Sequence, residues 1–387
     1  MEVLFWILIG LVLYPYAGYP VLLYLRNIAF PRGASGGGIP VTETPKPRVS
    51  MIIAAYNEEK SIEKKIQNSL GLNYPRHKIE HIFLSDGSTD KTAAIIRKHA
   101  GSEVVFHEFS ERMGKTHCLN FAISRAQGDI IVFSDANSRF DRDAVTNLVK
   151  GFASERVGFV TGWTRYVSAD AEHTAGTIGL YSRMEKQIKK WESDFNTCLS
   201  ADGAIFAIRK KLYVPLKDSD INDVVIPFKI LLQGFRGGFR EEAYCTESTA
   251  GSKKGEFKRQ VRITNRTLRA IFSHRRLLNP LVHPLISFQI TSHLLVRMMT
   301  PFFLALVFPL NALLVMEKPT SAYSALLLFQ ILFAGLSLLG RGQIKNPGLA
   351  RLAHFAHIFL MMNIAFFWGW GTFVKGEKFV TWETIRQ

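Results

Sequence analysis

Cysteine is scarce in this chain, and acidic residues are outnumbered. The three cysteines among 387 residues, Cys118, Cys198 and Cys245, are widely spaced and odd in number. Neither a disulfide framework nor a cysteine metal cluster is indicated, and a reduced, cytosolic environment fits best. Internal repeats, zinc-ligand spacings and nucleic-acid motifs are also lacking. Against 32 Asp and Glu stand 48 Lys and Arg, a formal net charge of +16. That excess could point to nucleic acid, but apolar residues gather at both ends of the chain. The combination favours the anionic inner leaflet of a membrane and a phosphorylated substrate, with no nucleic-acid partner. With 47% apolar residues, part of the chain belongs in lipid.

Val3 to Leu25 is apolar and uncharged, long enough to cross a bilayer at about 20 residues per span. Glu2 before it and Arg26 after it mark an anchor, a transmembrane helix within residues 1–27, rather than a cleaved signal. Arg26, Arg32, Lys46 and Arg48 place the following domain in the cytoplasm, as in an integral inner-membrane protein. Residues 28–48 read as a Gly/Pro-rich linker, with Gly36, Gly37 and Gly38 in a row. Near the other end, hydrophobic segments at 298–316, 323–339 and 353–374 define a membrane region over 298–375, followed by a tail at 376–387. Three crossings would put that tail outside, whereas Lys375, Lys378 and Arg386 favour the cytoplasm. A re-entrant segment would reconcile count and charge. His354, His357 and Asn363 could line a polar path or simply bond between helices.

Residues 49–250 alternate strand and helix, the pattern of a mostly parallel α/β sheet. Val49 to Ala55, Ile79 to Leu84, Glu103 to His107 and Ile130 to Phe133 read as strands, each followed by a polar turn and an amphipathic helix or loop. Polar groups cluster after these strands, at the edge where open α/β sheets bind ligands. Asp135 and Asn137, two residues apart, can offer two hard oxygens to one Mg²⁺ or Mn²⁺; an Asx turn would look the same. Lys115, at a helix start, could reach a phosphate or be a solvated surface lysine. Asp223 sits in the first turn of a helix, where a capping carboxylate and a catalytic one look alike. Residues 251–297 read as basic interfacial helices, with Arg259, Arg262, Arg266 and Arg269 at three- and four-residue steps.

Four stretches in order carry a resemblance: Ala55-Tyr56-Asn57-Glu58-Glu59, Asp86-Gly87-Ser88-Thr89-Asp90, Gly114-Lys115 and Ser134-Asp135-Ala136-Asn137. Together they resemble the donor-site motifs of family 2 glycosyltransferases, especially the membrane-integrated cellulose, chitin, hyaluronan and exopolysaccharide synthases. The resemblance implies the nucleotide-sugar-binding GT-A fold, with Tyr56 and Glu58 near the nucleobase and Asp86 on the base or ribose. Asp135 would bind the metal, with Asn137 as a neutral second ligand where the family commonly has Asp. The segment Asp202-Gly203 would line the donor sugar and acceptor, beside Asn222, and Asp223 would be the catalytic base. Processive members carry Gln-x-x-Arg-Trp; this chain has Arg259-Gln260-Val261-Arg262-Ile263, keeping the Arg and replacing the stacking Trp by Ile263. Arg262 and Arg266 would clamp the diphosphate.

The expectation is therefore an α/β GT-A domain with transmembrane helices and an interfacial amphipathic helix. Its expected reaction is inverting transfer from a UDP-sugar, with Mg²⁺ or Mn²⁺, onto a growing β-linked polysaccharide, with possible coupled translocation. Two alternatives remain open. One adds a single sugar to a polyprenyl phosphate or other lipid acceptor; the other is a non-catalytic subunit that senses nucleotide sugars.

Overall fold

The computed structural model describes residues 1–30, 46–167, 174–248, 253–319, 321–340, 342, 344 and 346–379. The linker glycines, Arg32 and Arg386 lie outside the described residues. The chain opens with α1 (Glu2–Leu13), a π-helical stretch and α2 (Tyr19–Ala29), which together form one 28-residue apolar helix. The domain follows as β1 (Val49–Ala55), α3 (Ile62–Leu70), β2 (Ile79–Asp86), α4 (Thr92–His99), β3 (Val104–Phe109), α5 (Lys115–Arg125) and β4 (Ile130–Asp135). It continues through β5 (Arg139–Phe140), α6 (Ala144–Lys150), β6 (Val157–Val167), α7 (Thr174–Phe195), β7 (Ile205–Arg209), α8 (Asn222–Leu232) and β8 (Arg236–Ser248).

These strands form one sheet in the order β3-β2-β1-β4-β7-β6-β8-β5. From β3 to β4 every pairing is parallel, which brings the carboxyl ends of β1, β2 and β4 to one edge. At β7 the direction reverses, and β6 and β8 pair in parallel beyond it. All of β1 is buried, because helices cover both faces. Ile52 and Ala54 pack toward α5 and α8, while Met51 and Ile53 pack toward α3 and α6. The core on the α5 side runs on without a break into Ala270, Ile271, Ile290 and Leu294, so the domain and its membrane-proximal helices share one interior.

Beyond the sheet come α9 (Lys253–Ser273), α10 (Pro284–Gln289), α11 (Val296–Glu317), α12 (Ser321–Leu339) and α13 (Pro347–Val374). α10 and α11 join through a π-helical stretch into a single helix over Pro284–Glu317, so residues 284–296 continue the first carboxyl-terminal span. Among the described residues, four helices are long and apolar enough to cross a membrane. The first docks on the domain: the Tyr19 hydroxyl donates to Glu192 at 2.7 Å and the Asn27 amide to the Trp191 carbonyl at 3.2 Å.

Contacts at the two ends of the helix bundle place the end of α13 relative to the domain. α11 leaves the domain and ends where Lys318 meets Glu2, at 2.6 Å, the end remote from the sheet. Tyr323, opening α12, stacks edge-on against Phe5 at that same remote end. α13, however, finishes at the domain: Trp370 donates to the Met298 carbonyl at 3.0 Å and Asn265 of α9 donates to the Glu377 carbonyl at 3.3 Å. At 1.5 Å per residue α13 is about 42 Å long. α12 packs on it, Phe333 against Phe359, and Gly340 approaches the Ala353 backbone. Lys375 and the residues up to 379 lie beside the domain.

Candidate active site

Three turns at the carboxyl edge of the sheet are laced together. Asn57 adopts φ +52°, and its side-chain oxygen accepts the Thr89 N–H at 2.9 Å, while its own N–H donates to the Ser88 hydroxyl at 3.2 Å. The Glu58 N–H donates to the Thr92 hydroxyl at 2.8 Å, and the Glu58 carboxylate accepts from Ser61 at 2.5 Å. Tyr56 is covered by the Arg112 guanidinium, 3.9 Å from its ring centre. Asp86 is fully buried and takes the backbone N–H groups of Met113 at 2.7 Å and Gly114 at 3.0 Å. The structure thus places Asp86 beneath the loop that leads to Lys115, as its anchor. Gly87 is required by this closeness: it sits at φ +63°, and a Cβ there would fall 2.6 Å from the Arg112 backbone nitrogen.

Lys115 opens α5 and reaches across to Asp135, Nζ to Oδ1, at 2.5 Å. Burial pulls the Lys115 ammonium down, but Asp135 outweighs it and the net direction is upward. Asp135 is the last residue of β4, and Asn137 is half-buried in the turn after it. Among the described residues no group of three His, Cys, Asp or Glu side chains could hold a metal. A donor set of one carboxylate and one amide fits a hard cation that keeps several waters and takes its other oxygens from a diphosphate. Asp135 and Asn137 are the residues that would hold it.

The other wall of the site is built around Asp223. The Asp202 carboxylate accepts the Thr164 N–H of β6 at 2.9 Å and the Ala204 N–H of its own turn at 3.1 Å. Its neighbour Gly203 faces Asp223: a Cβ there would lie 3.0 Å from Asp223 Oδ2. Asp223 stands in the first turn of α8, and Pro227 lies four residues on. Proline has no N–H to give the Asp223 carbonyl, as the helix would otherwise require. The Ala201 N–H fills that place at 2.8 Å, which ties the Asp202-Gly203 turn to the start of α8. Asp223 Oδ1 and the Asn222 amide nitrogen are buried with no hydrogen-bond partner among the described residues. Burial pushes the Asp223 carboxyl above its ordinary range, partly countered by Lys115 and Lys189.

α9 closes the site from the membrane side. Arg266 donates to the carbonyls of Ser219, at 3.1 Å, and Asp220, so it grips the loop that delivers Asp223. Burial and the adjacent Arg262 lower the Arg266 guanidinium to about 10. Arg259 pairs with Glu256 at 2.9 Å, and Arg269 reaches the Glu377 carbonyl at 2.5 Å. The basic face of α9 is therefore largely engaged with protein. Arg262 and Ile263 are half-buried on it.

The structure brings Lys115 to Asp135, Gly203 to Asp223 and Arg266 to the Asp220 carbonyl. It gives Asp86 the N–H groups of Met113 and Gly114, and Asp202 those of Thr164 and Ala204. Sequence reasoning missed Arg112 over Tyr56, and it missed Lys65. The latter interrupts the apolar stripe Ile62, Ile66 and Ser69 on the buried face of α3, a legible sign of a partnered buried charge.

Comparison with known proteins bears on the whole arrangement. Residues 50–214 match the sequence profile of the family described as glycosyl transferase family 2. The poly-beta-1,6-N-acetyl-D-glucosamine synthase of Staphylococcus aureus strain COL is 28% identical over 222 residues, 55% of this chain and 53% of that protein. The beta-monoglucosyldiacylglycerol synthase of a Nostoc species is 31% identical over 163 residues, 41% of this chain and 34% of that protein. The chain spans about half the length of the first of these relatives, and less of the second. Among solved structures, a mannosyltransferase from Pyrobaculum calidifontis, in complex with GDP-Man and Mn²⁺, superposes with TM-score 0.72 at 23% identity, covering 97% of this chain and 100% of its own. That likeness extends the shared fold through the helices after the sheet. Residues 50–214 carry a glycosyl transferase family 2 domain with the GT-A fold, and before and after it the described residues hold four apolar helices long enough to span a membrane.

Proposed function

We propose that the chain transfers a sugar from a nucleotide diphosphate donor, a UDP-sugar, onto a hydroxyl of a β-linked polysaccharide growing at the membrane, with inversion. The observation that carries this reading is the Asp223 carboxylate. Asp223 is half-buried, its carboxyl is raised above its ordinary range, and its buried Oδ1 has no hydrogen-bond partner among the described residues. An acceptor hydroxyl beside Oδ1 passes its proton to Asp223 as its oxygen bonds to the anomeric carbon, and the bond from that carbon to the diphosphate breaks. No second carboxylate stands assigned as nucleophile, so an α-linked donor gives a β-linked product. Tyr56 and Glu58 mark the base end of the donor. Lys115 neutralises charge at the diphosphate, with Arg262 approaching from α9 and Arg266 holding the Asp220 loop. A divalent cation, when bound at Asp135 and Asn137, supplies charge neutralisation to the leaving diphosphate.

The synthase named among the relatives supports a polymer product. The lipid glycosyltransferase from Nostoc, with Ile263 where an aromatic platform would stack on sugar, favours single addition to a lipid acceptor as the second reading. Product size decides between them. Purified protein in lipid, with Mg²⁺ or Mn²⁺, is given radiolabelled UDP-sugars and GDP-mannose in parallel. High-molecular-weight product cleaved by a linkage-specific hydrolase supports the synthase and names its sugar. Label confined to a lipid-extractable single adduct supports the second reading, and label from GDP-mannose alone overturns the UDP assignment.

A further inference from the structure

Lys65 is 1% exposed, lies on α3 in the middle of the domain, and takes no part in the chemistry described so far. Its ammonium donates to the Ser134 hydroxyl at 2.6 Å and to the Ser138 carbonyl at 2.9 Å, and lies 4.5 Å from the centre of the Phe140 ring. Ser134 and Ser138 bracket the turn that carries Asp135 and Asn137. Their hydroxyls meet each other at 2.9 Å, and the Ser138 hydroxyl also donates to the Asp135 carbonyl at 2.9 Å. Lys65 thus closes a ring of hydrogen bonds under the turn. One helical turn further along α3, Asn68 exchanges two hydrogen bonds with the Phe140 backbone, at 2.8 and 2.9 Å, so the same helix also fixes the strand into which the turn runs.

An ammonium buried this deeply costs several kcal/mol unless fully compensated. An apolar residue would continue the stripe of Ile62 and Ile66 at less cost, so packing alone does not account for a lysine here. What the lysine adds is direction: two donors aimed at the two ends of a five-residue turn. We propose that Lys65 is a positioning residue for the cation and diphosphate site, holding the Ser134–Ser138 turn from beneath so that Asp135 and Asn137 converge on one ion. This rests on the reading of those two residues as metal ligands.

The test measures Mn²⁺ binding directly, from the electron paramagnetic resonance signal of free Mn²⁺, on the full-length protein in lipid nanodiscs with saturating UDP. Lys65→Met is expected to weaken Mn²⁺ binding about 10-fold or more, as loss of a supporting partner does at metal sites. Its melting temperature without metal and nucleotide should stay within a few degrees of wild type. Lys65→Gln, which keeps donors but no charge, should recover part of the affinity. Wild-type Mn²⁺ affinity in Lys65→Met overturns the proposal, and so does no recovery with Gln. If Lys65→Met does not fold, Ser138→Ala opens the same ring without stranding a charge, and an unchanged affinity there overturns it equally. Wild-type protein that binds no Mn²⁺ with UDP or with GDP removes the metal reading itself, and the proposal with it; binding in wild type that Lys65→Met retains removes the proposal alone.

Discussion

The two walls of the candidate site are held in place by different means. On the donor side, the turns after β1, β2 and β3 are joined to one another by Asn57, Thr92 and Asp86, all within the domain. On the Asp223 side, α9 adds to the holding, and α9 is in turn fastened to the last apolar helix. Asn265 is fully buried and donates to Thr372 at 3.0 Å, and Gly369 lies so close that a Cβ would fall 2.5 Å from the Thr264 side chain. The first wall is held within the sheet domain alone, whereas the Asp223 wall is held both by the domain core and, through Arg266, by a helix fastened to α13. A change deep in α13 can therefore reach the chemistry without touching the donor.

The largest expected effect is at the base. Asp223→Asn should lower kcat by about 10²–10⁴-fold, with nucleotide affinity measured calorimetrically near wild type. Its melting temperature at neutral pH should not fall. The folded carboxyl is raised, so the charged form costs stability above that raised value and the cost lifts as pH drops below it. Full activity in Asp223→Asn would remove it as base. Next, Asp135→Ala should weaken Mn²⁺ and nucleotide binding together, on the order of 10-fold or more, and unchanged metal dependence would reject its role as ligand.

The coupling between α13 and α9 is tested by Gly369→Leu. Overpacking there costs about 1–3 kcal/mol and should displace α9, lowering kcat several-fold while the donor affinity holds. A variant that loses stability but keeps kcat would sever the two walls' dependence as drawn here. Subtler is the pH profile. The acid limb of kcat/KM should lie above the ordinary carboxylate range, because Asp223 must be deprotonated to accept a proton; a limb at the usual position for aspartate would contradict it. Smallest is Glu241→Gln on the domain surface. Lys190 and Lys186 hold Glu241 down to about 2, so its contribution is present above the ordinary carboxylate range and lost only as pH falls toward that value. The group is largely exposed and screened, so activity at neutral pH should not change.

Much of this was legible beforehand because it is written in local pattern. The buried strand Val49 to Ala55, the turn after Ile130 to Phe133 and the helix opening at Asn222 follow from runs of apolar residues bounded by polar ones. What escaped was set by contacts between distant segments. Asp86 reads as an acid after a strand, but the two amides 27 and 28 residues later that donate to it leave no mark in local pattern. Arg266 and Arg269 read as a lipid-facing stripe, yet carbonyls at 219, 220 and 377 take them. Counting hydrophobic segments cannot reveal that the end of α13 docks on α9, because length and composition are alike in all the candidate spans.

Pro227 makes the same point about inheritance from an unlikely quarter. It meets no substrate, carries no charge and is wholly inside α8, so a search for functional residues by chemistry would pass over it. Yet by withholding one N–H it leaves a carbonyl free for Ala201, and that single exchange ties the Asp202-Gly203 turn to Asp223. Replacing it would lengthen an ordinary helix by one ordinary bond. In a population of variants it should surface as a position where the substitution that best satisfies the helix most disturbs the enzyme.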